Sequence, residues 1–223
     1  MSTSARTLHI DIDPDTRVSA LLQAPADAKA AYVLAHGAGA GMAHSFMAAV
    51  ADGLAERQVA TLRYQFPYME RGSKRTDAPA VAHAAVRAAV AVAAGELQGL
   101  RLYAGGKSFG GRMSSQAQAA APLAGVEGLV FLGFPLHTDG VPATTRAEHL
   151  HEVRIPMLFV QGTRDKLADI GLVRTLAGQL GERATLMEIA EADHSFHVLA
   201  RSGRKDPEVL REVLDGAARW MLR

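Results

Sequence analysis

The chain has 223 residues, of which 48% are hydrophobic and 21% are charged, and its formal net charge is +1. This composition is typical of a soluble globular domain and lacks the strong positive charge of most nucleic-acid-binding proteins. It contains no cysteine, which excludes disulfides, thiolate metal sites and a cysteine nucleophile.

No stretch of the chain reaches the roughly 18 apolar residues of a membrane span, and residues 1–7 lack the apolar centre of a signal peptide. We therefore expect a cytoplasmic protein with one domain over residues 1–223. We expect it to be a monomer or homodimer, with a small-molecule substrate and with neither a nucleic acid nor a membrane as partner.

The predicted elements begin with a hairpin, whose strands are residues 8–12 and 18–22. Apolar runs predict further strands at residues 30–35, 59–63, 100–104, 126–133, 155–161 and 184–189. Helical patterns lie at residues 46–57, 78–97, 113–121, 144–150, 173–180 and 207–222. Residues 64–72 are rich in aromatic side chains and have no regular period, so they are predicted to form a loop. Apolar strands that alternate with helices predict an α/β fold with a mostly parallel sheet, which the antiparallel hairpin leads and helices cover on both faces.

One stretch carries a chemical motif. Residues 106–110 read Gly-Lys-Ser-Phe-Gly and fit the G-x-S-x-G nucleophile elbow, in which a serine lies on a tight turn between a strand and a helix. A predicted strand precedes this stretch and a predicted helix follows it. Gly106 and Gly110 are expected to leave room for the backbone that packs closely against such a turn.

Two other glycine motifs fail on spacing. A phosphate-binding P-loop that ends at Gly106-Lys107-Ser108 would need a further glycine at Arg101. A dinucleotide-binding fingerprint in residues 37–41 would need its third glycine at Met42. The nucleophile elbow is therefore the interpretation that the spacing supports.

Ligand sites of parallel sheets form at the carboxyl ends of the strands. Ser108, Asp165 and His194 each follow a predicted strand, and their order along the chain is that of the α/β-hydrolase triad. A neutral histidine can accept the serine proton near pH 7, and a carboxylate fixes the histidine tautomer. We predict that these three residues are catalytic.

Alternatives to two members of this triad remain open. His197 is the alternative base, although it could equally pack on the last helix. Asp139, Asp169 and Asp193 are the alternative acids, and each could instead be a loop residue or a helix cap.

The backbone amides of Phe109 and Ala38 are predicted to form the oxyanion hole, and no metal or organic cofactor is required. His36 is expected to support the loop at residues 36–41 by hydrogen bonding. The residues expected to bind substrate are His36, Gly37, Gly39, Phe66, Tyr68, Met69, Phe134 and Leu136. Individually, the aromatic and apolar members of this set fit the edge of the core as well as a pocket wall. Lys107 and Arg112 are expected to be solvated or ion-paired.

The chain resembles the small, lidless α/β-hydrolases related to dienelactone hydrolases. Within these it is similar to a bacterial group that includes testis-expressed and chromatin-complex-subunit homologues of animals. The matching stretches are residues 36–39, 66–72, 105–112, 134–137, 161–165 and 193–196. Dienelactone hydrolases have cysteine at the elbow, where this chain has Ser108, so their lactone specificity is not implied.

These observations predict a serine hydrolase that acts on a carboxylic ester or thioester. Residues 134–154 are too few to form a helical lid, so we expect an open, shallow site beside the loop at residues 66–71. The resemblance to complex subunits leaves a non-catalytic binding domain as the alternative. A peptidase or acyltransferase with the same triad is a further alternative.

Overall fold

The computed structural model describes residues 4–223. Residues 1–3, which belong to the expected domain and to segment 1–7, lie outside the described residues. Within the described residues, one sheet contains eight strands. They are β1 (Arg6–Asp13), β2 (Thr16–Gln23), β3 (Ala30–Ala35), β4 (Val59–Tyr64), β5 (Arg101–Lys107), β6 (Val126–Leu132), β7 (Met157–Gly162) and β8 (Ala184–Ile189). Their order across the sheet is β1-β2-β4-β3-β5-β6-β7-β8.

The hairpin strand β2 pairs antiparallel with both β1 and β4, and all other neighbours are parallel. Every residue of β3, β4 and β7 is buried, because these strands are covered on both faces. This explains why the sequence of β3 is a continuous apolar run rather than an alternating pattern. The predicted sheet, with its antiparallel start, is confirmed.

The helices are α1 (Ser45–Ala55), α2 (Pro67–Glu70), α3 (Pro79–Glu96), α4 (Phe109–Ala120), α5 (Ile170–Leu180) and α6 (Asp206–Met221). Apolar side chains of α1 and α6 pack in one cluster, and those of α3, α4 and α5 pack in another. The helices therefore cover both faces of the sheet, as predicted. None of the helices in residues 4–223 combines the length and the apolarity that a membrane span requires.

Two segments differ from their predictions. Helix α2 lies within the predicted loop at residues 64–72, where Pro67 occupies the first turn and sets its backbone angle. The Glu70 carboxylate accepts hydrogen bonds from the backbone and hydroxyl of Ser19, at 2.9 and 2.8 Å, and so joins α2 to β2. A helix of this length is too short to produce a periodic pattern. The helix predicted at residues 144–150 is a 3₁₀ helix, Thr145–Glu152.

Candidate active site

Ser108 lies on the turn between the end of β5 and the start of α4. Its backbone has φ 50° and ψ −114°, a conformation that non-glycine residues rarely adopt and that a nucleophile elbow requires. A Cβ atom at Gly106 would lie 2.1 Å from the Ala35 carbonyl oxygen, and one at Gly110 would lie 2.5 Å from the same atom. The structure therefore confirms that both positions need glycine, because β3 passes directly beneath the turn.

The structure brings Ser108, His194 and Asp165 together in a hydrogen-bonded chain. The Ser108 hydroxyl donates to His194 Nε2 at 2.9 Å, and His194 Nδ1–H donates to Asp165 Oδ2 at 2.7 Å. The Asp165 side chain is fully buried, whereas that of His194 is 21% exposed. This arrangement assigns the histidine proton to Nδ1 and leaves the Nε2 lone pair facing the serine, which is the tautomer of a general base.

Asp165 is held by two further donors. Its Oδ1 accepts from the Leu167 amide at 2.7 Å, and its Oδ2 accepts from the Gln161 side-chain amide at 2.5 Å. The Gln161 carbonyl oxygen in turn accepts from the Phe134 backbone at 2.9 Å. Sequence reasoning missed Gln161. The available signal was a single amide side chain in the otherwise apolar strand β7.

The alternative residues lie in other interactions. His197 Nδ1–H donates to Asp206 at 2.7 Å at the start of α6, and this carboxylate raises the pKa of His197. Asp193 accepts from two backbone amides of its own turn. Asp169 caps α5, and Asp139 is exposed in a loop. In this structure none of the four takes the place of His194 or Asp165.

His36 fastens the loop that follows β3. Its Nδ1–H donates to the Gly37 carbonyl at 2.8 Å, and its Nε2 accepts from the Phe66 amide at 3.1 Å. The ring is buried, and this burial lowers the pKa of His36. The Gly39 amide donates to the Tyr68 hydroxyl at 3.0 Å. His36 and Tyr68 therefore position the loop from behind, without contacting solvent.

This loop reaches the elbow. A Cβ atom at Gly37 would lie 3.7 Å from Ser108 Cβ. Among residues 4–223, no protein group accepts a hydrogen bond from the backbone amide of Ala38 or Phe109. Phe109 is the first residue of α4, where amides have no partner within the helix. Both amides are therefore available as donors.

Most of the expected pocket wall is part of the core. Phe66, Tyr68, Phe134 and Leu136 are buried in the same apolar cluster, and each is at most 2% exposed. Phe66 contacts Phe109 edge-on at 5.2 Å between ring centroids. In this conformation the four side chains offer no surface to a ligand, so they support the site from beneath. Met69 is partly exposed and lies near Gly41.

Lys107 is only partly exposed, and among residues 4–223 it forms no ion pair, so the expected ion pair is absent. Its ammonium group donates to the backbone carbonyl of His194. It also lies 5.4 Å from the ring centroid of Phe196 and 6.0 Å from that of Phe46. Burial lowers the pKa of Lys107 to about 8, although the charges of Asp165 and Asp193 oppose this shift. Lys107 therefore joins the elbow to the turn that carries His194.

A mostly parallel sheet with a serine on the elbow after its central strand is the architecture of the α/β-hydrolases. The family model of the alpha/beta hydrolase domain matches residues 28–222. The chain therefore belongs to the alpha/beta hydrolase domain family, and its fold is that of the lidless, dienelactone-hydrolase-like members.

Solved structures share this fold over almost the whole chain. An alpha-beta serine hydrolase homologue from Coxiella burnetii has 20% identity and a TM-score of 0.74, and the match covers 96% of this chain and 97% of that one. A serine hydrolase without lid from Xanthomonas campestris has 22% identity and a TM-score of 0.74, with coverage of 99% and 96%. Dienelactone hydrolase from Anabaena variabilis has 20% identity and a TM-score of 0.77, with coverage of 100% and 98%.

Proposed function

We propose that this protein is a serine hydrolase that cleaves a carboxylic ester or thioester through an acyl-enzyme on Ser108. The observation that carries the proposal is the continuous hydrogen-bonded chain from Ser108 through His194 to the buried Asp165. A family assignment alone would not carry it, because one fold hosts many functions.

In the first half-reaction, His194 Nε2 removes the proton of Ser108 as its oxygen attacks the substrate carbonyl. The carbonyl oxygen becomes an oxyanion that accepts hydrogen bonds from the amides of Ala38 and Phe109. The imidazolium then gives its proton to the leaving alkoxide or thiolate, and the acyl group remains on Ser108. Asp165 stabilises the imidazolium through Nδ1 without taking its proton.

In the second half-reaction, water replaces the serine hydroxyl as nucleophile. His194 takes a proton from this water, the second tetrahedral intermediate collapses, and the proton returns to the Ser108 oxygen as the carboxylic acid leaves. Ala38 is preferred over Gly39 as oxyanion donor because the Gly39 amide already donates to Tyr68.

The connection between β6 and β7 supports a small or flexible substrate. In its 3₁₀ helix, Thr145–Glu152, His149 bonds Ser115 of α4 at 2.8 Å. This segment therefore packs against α4. No apolar cap of the kind that buries a long acyl chain is formed by residues 133–156.

The test is labelling with a fluorophosphonate probe, with mass spectrometry to locate the adduct. We expect a stoichiometric adduct on Ser108 that is lost in His194→Ala. Ser108→Ala should lower kcat on a short-chain ester by about 10⁴–10⁶-fold while the protein stays folded. Ser73→Ala, in a loop, is the matched control and should keep both labelling and turnover.

Folded protein that acquires no adduct would overturn the proposal, as would Ser108→Ala with wild-type turnover. The first result would favour a binding domain on the same fold.

A further inference from the structure

Arg112 lies one helical turn beyond the nucleophile. Its backbone amide donates to the Ser108 carbonyl at 3.1 Å within the first turn of α4. Side chains of a helix lean towards its N-terminus, and residues three apart share a face. The Arg112 side chain therefore extends from the face that carries Phe109 and leans back towards the elbow.

The Arg112 side chain is partly buried, and one of its donors lacks a hydrogen-bond partner. Its Nε is buried and has no hydrogen-bond partner among residues 4–223. Among residues 4–223, no ion pair includes Arg112, although other arginines form ion pairs. A buried, unsatisfied donor on a charged group is costly. An arginine in this state is suited to a ligand that supplies the missing acceptor.

A second unpaired arginine lies nearby. Arg146 is in the 3₁₀ helix Thr145–Glu152, which packs on α4, and it donates to the His137 backbone carbonyl at 2.9 Å. That carbonyl is neutral, and within the described residues 4–223 no ion pair includes Arg146. Ser115 lies three residues after Arg112, and it contacts His149, three residues after Arg146, at 2.8 Å, so the two arginines lie on the facing sides of α4 and the 3₁₀ helix. Burial and the charge of Arg146 both lower the pKa of Arg112, in agreement with this placement.

The polar residues of α3, α4 and the 3₁₀ helix that hydrogen-bond in this region are not acidic. The Ser115 hydroxyl donates to the Arg112 carbonyl at 2.9 Å, so His149 Nε2–H donates to Ser115 Oγ at 2.8 Å. Burial, together with the charges of Arg112 and His83, lowers the pKa of His149 to about 4. His83 contacts Gln116 at 3.3 Å, and burial lowers its pKa as well. The cluster therefore has two positive charges and neutral neighbours.

We propose that Arg112 and Arg146 form a subsite for a carboxylate group that the substrate carries a few bonds from its scissile carbonyl. This inference rests on the proposed function, which it narrows to anionic esters or thioesters. A carboxylate would satisfy the Arg112 Nε and relieve the repulsion between the two guanidinium groups. Arginine suits this ligand because its planar fork of donors matches the two carboxylate oxygens.

The substrates that test it are matched pairs differing in charge. The 4-methylumbelliferyl hemisuccinate is compared with the butyrate, which places the carboxylate on the acyl side. The 3-carboxyphenyl acetate is compared with 3-methylphenyl acetate, which places it on the leaving-group side. We expect wild-type kcat/KM to favour the anionic member of at least one pair at constant ionic strength.

Arg112→Met and Arg146→Met should each lower the anionic-to-neutral ratio of kcat/KM by about 10–100-fold, the loss expected for a charged hydrogen bond. Arg112→Lys keeps the positive charge but loses the planar guanidinium group. Its anionic-to-neutral ratio should therefore lie between those of the wild type and Arg112→Met. Arg154→Met is the matched control, because Arg154 is exposed and its removal changes the net charge equally. An unchanged ratio in both arginine variants, or an equal fall in Arg154→Met, would overturn the proposal. The proposal would also be overturned if the wild-type protein preferred neither anionic ester over its neutral partner.

A binding measurement separates the subsite from the chemistry. Glutarate should raise the Tm of Ser108→Ala, and the neutral glutaramide should not. The rise should vanish in Ser108→Ala/Arg112→Met, whose own Tm is measured without ligand to show that it is folded. If glutarate stabilises the protein but Ser108 acquires no fluorophosphonate adduct, the hydrolase proposal fails and the subsite stands. If glutarate does not stabilise it, the subsite fails whatever the activity.

Discussion

Lys107, next to Ser108, and Arg112, one turn further along α4, place a cation on each face of the sheet, and the two have opposite surroundings. Lys107 extends into the α1 and α6 side, where it has a carbonyl acceptor and two aromatic rings. Arg112 extends from α4 on the other side, where its buried Nε has no partner within residues 4–223. A buried donor without a partner lowers stability, and a ligand that supplies an acceptor removes this cost. We therefore infer that Lys107 positions the catalytic base and Arg112 contacts substrate.

The largest effect expected from this comparison is on activity. Lys107→Met keeps most of the volume but removes the donor to the His194 carbonyl, so the turn carrying the base loses its fixed position. We expect kcat/KM on a neutral ester to fall by about 10–100-fold, since misplacement by an ångström costs this much. Fluorophosphonate labelling of Ser108 should slow in proportion.

Lys166→Met is the control for Lys107→Met, because Lys166 is exposed close to His194 and its loss changes the net charge equally. Its activity should be near that of the wild type. Wild-type turnover in Lys107→Met would contradict the positioning role and would leave Lys107 as a packing residue.

Replacement of Arg112, the other cation, should have a smaller effect, which is on the free energy of unfolding. Arg112→Met removes a partly buried charge whose Nε has no partner among residues 4–223, and it keeps most of the aliphatic stem. We therefore expect the free energy of unfolding to be unchanged or higher by about 1 kcal/mol, as found when buried charges are replaced by apolar groups. Urea unfolding measures it. A loss of more than about 2 kcal/mol would show that Arg112 has a structural partner and would remove the contrast with Lys107.

The last expected effect concerns the stability of the protein at acid pH. The pKa of His149 is about 4 in the folded state and near 6.5 when unfolded, so between these values only the unfolded state binds the proton. Stability therefore falls as the pH drops from 6.5 to 4, by at most about 1.4 kcal/mol per pH unit for this group. His149→Gln should reduce this loss in urea unfolding across that range.

Protonation of His197 should affect stability in the opposite direction to protonation of His149. Asp206 raises the pKa of His197, so the folded state binds its proton more tightly, and the stabilisation is present below the unfolded pKa. His197→Gln should therefore make the protein less stable at acid pH. Equal behaviour of the two variants would contradict the assignment of His149 as a buried neutral base.

The sequence predicted the sheet well because most strands are short, largely apolar segments bounded by polar or glycine-containing turns, and the buried strand β3 is apolar throughout. Residues 30–35 and 184–189 were predicted with the bounds that β3 and β8 have. The short helix α2 was missed because it contains a single turn, too little for a periodic pattern. The buried positions of Phe66 and Tyr68 were equally beyond reach, since an aromatic residue at a strand end suits a core and a pocket alike.

The elbow itself was determined by the sequence. A turn packed directly on β3 permits only glycine at positions 106 and 110, and such a steric requirement is visible in the residue types alone. Partners across the fold are different. Lys107 and His194 are far apart in the chain, and so are Arg112 and Arg146, so their separation depends on how loops from several strands meet at one edge of the sheet. Only the tertiary structure decided which cation beside Ser108 is satisfied and which is not, because hydrogen bonding and burial are properties of the packed neighbours rather than of the residue.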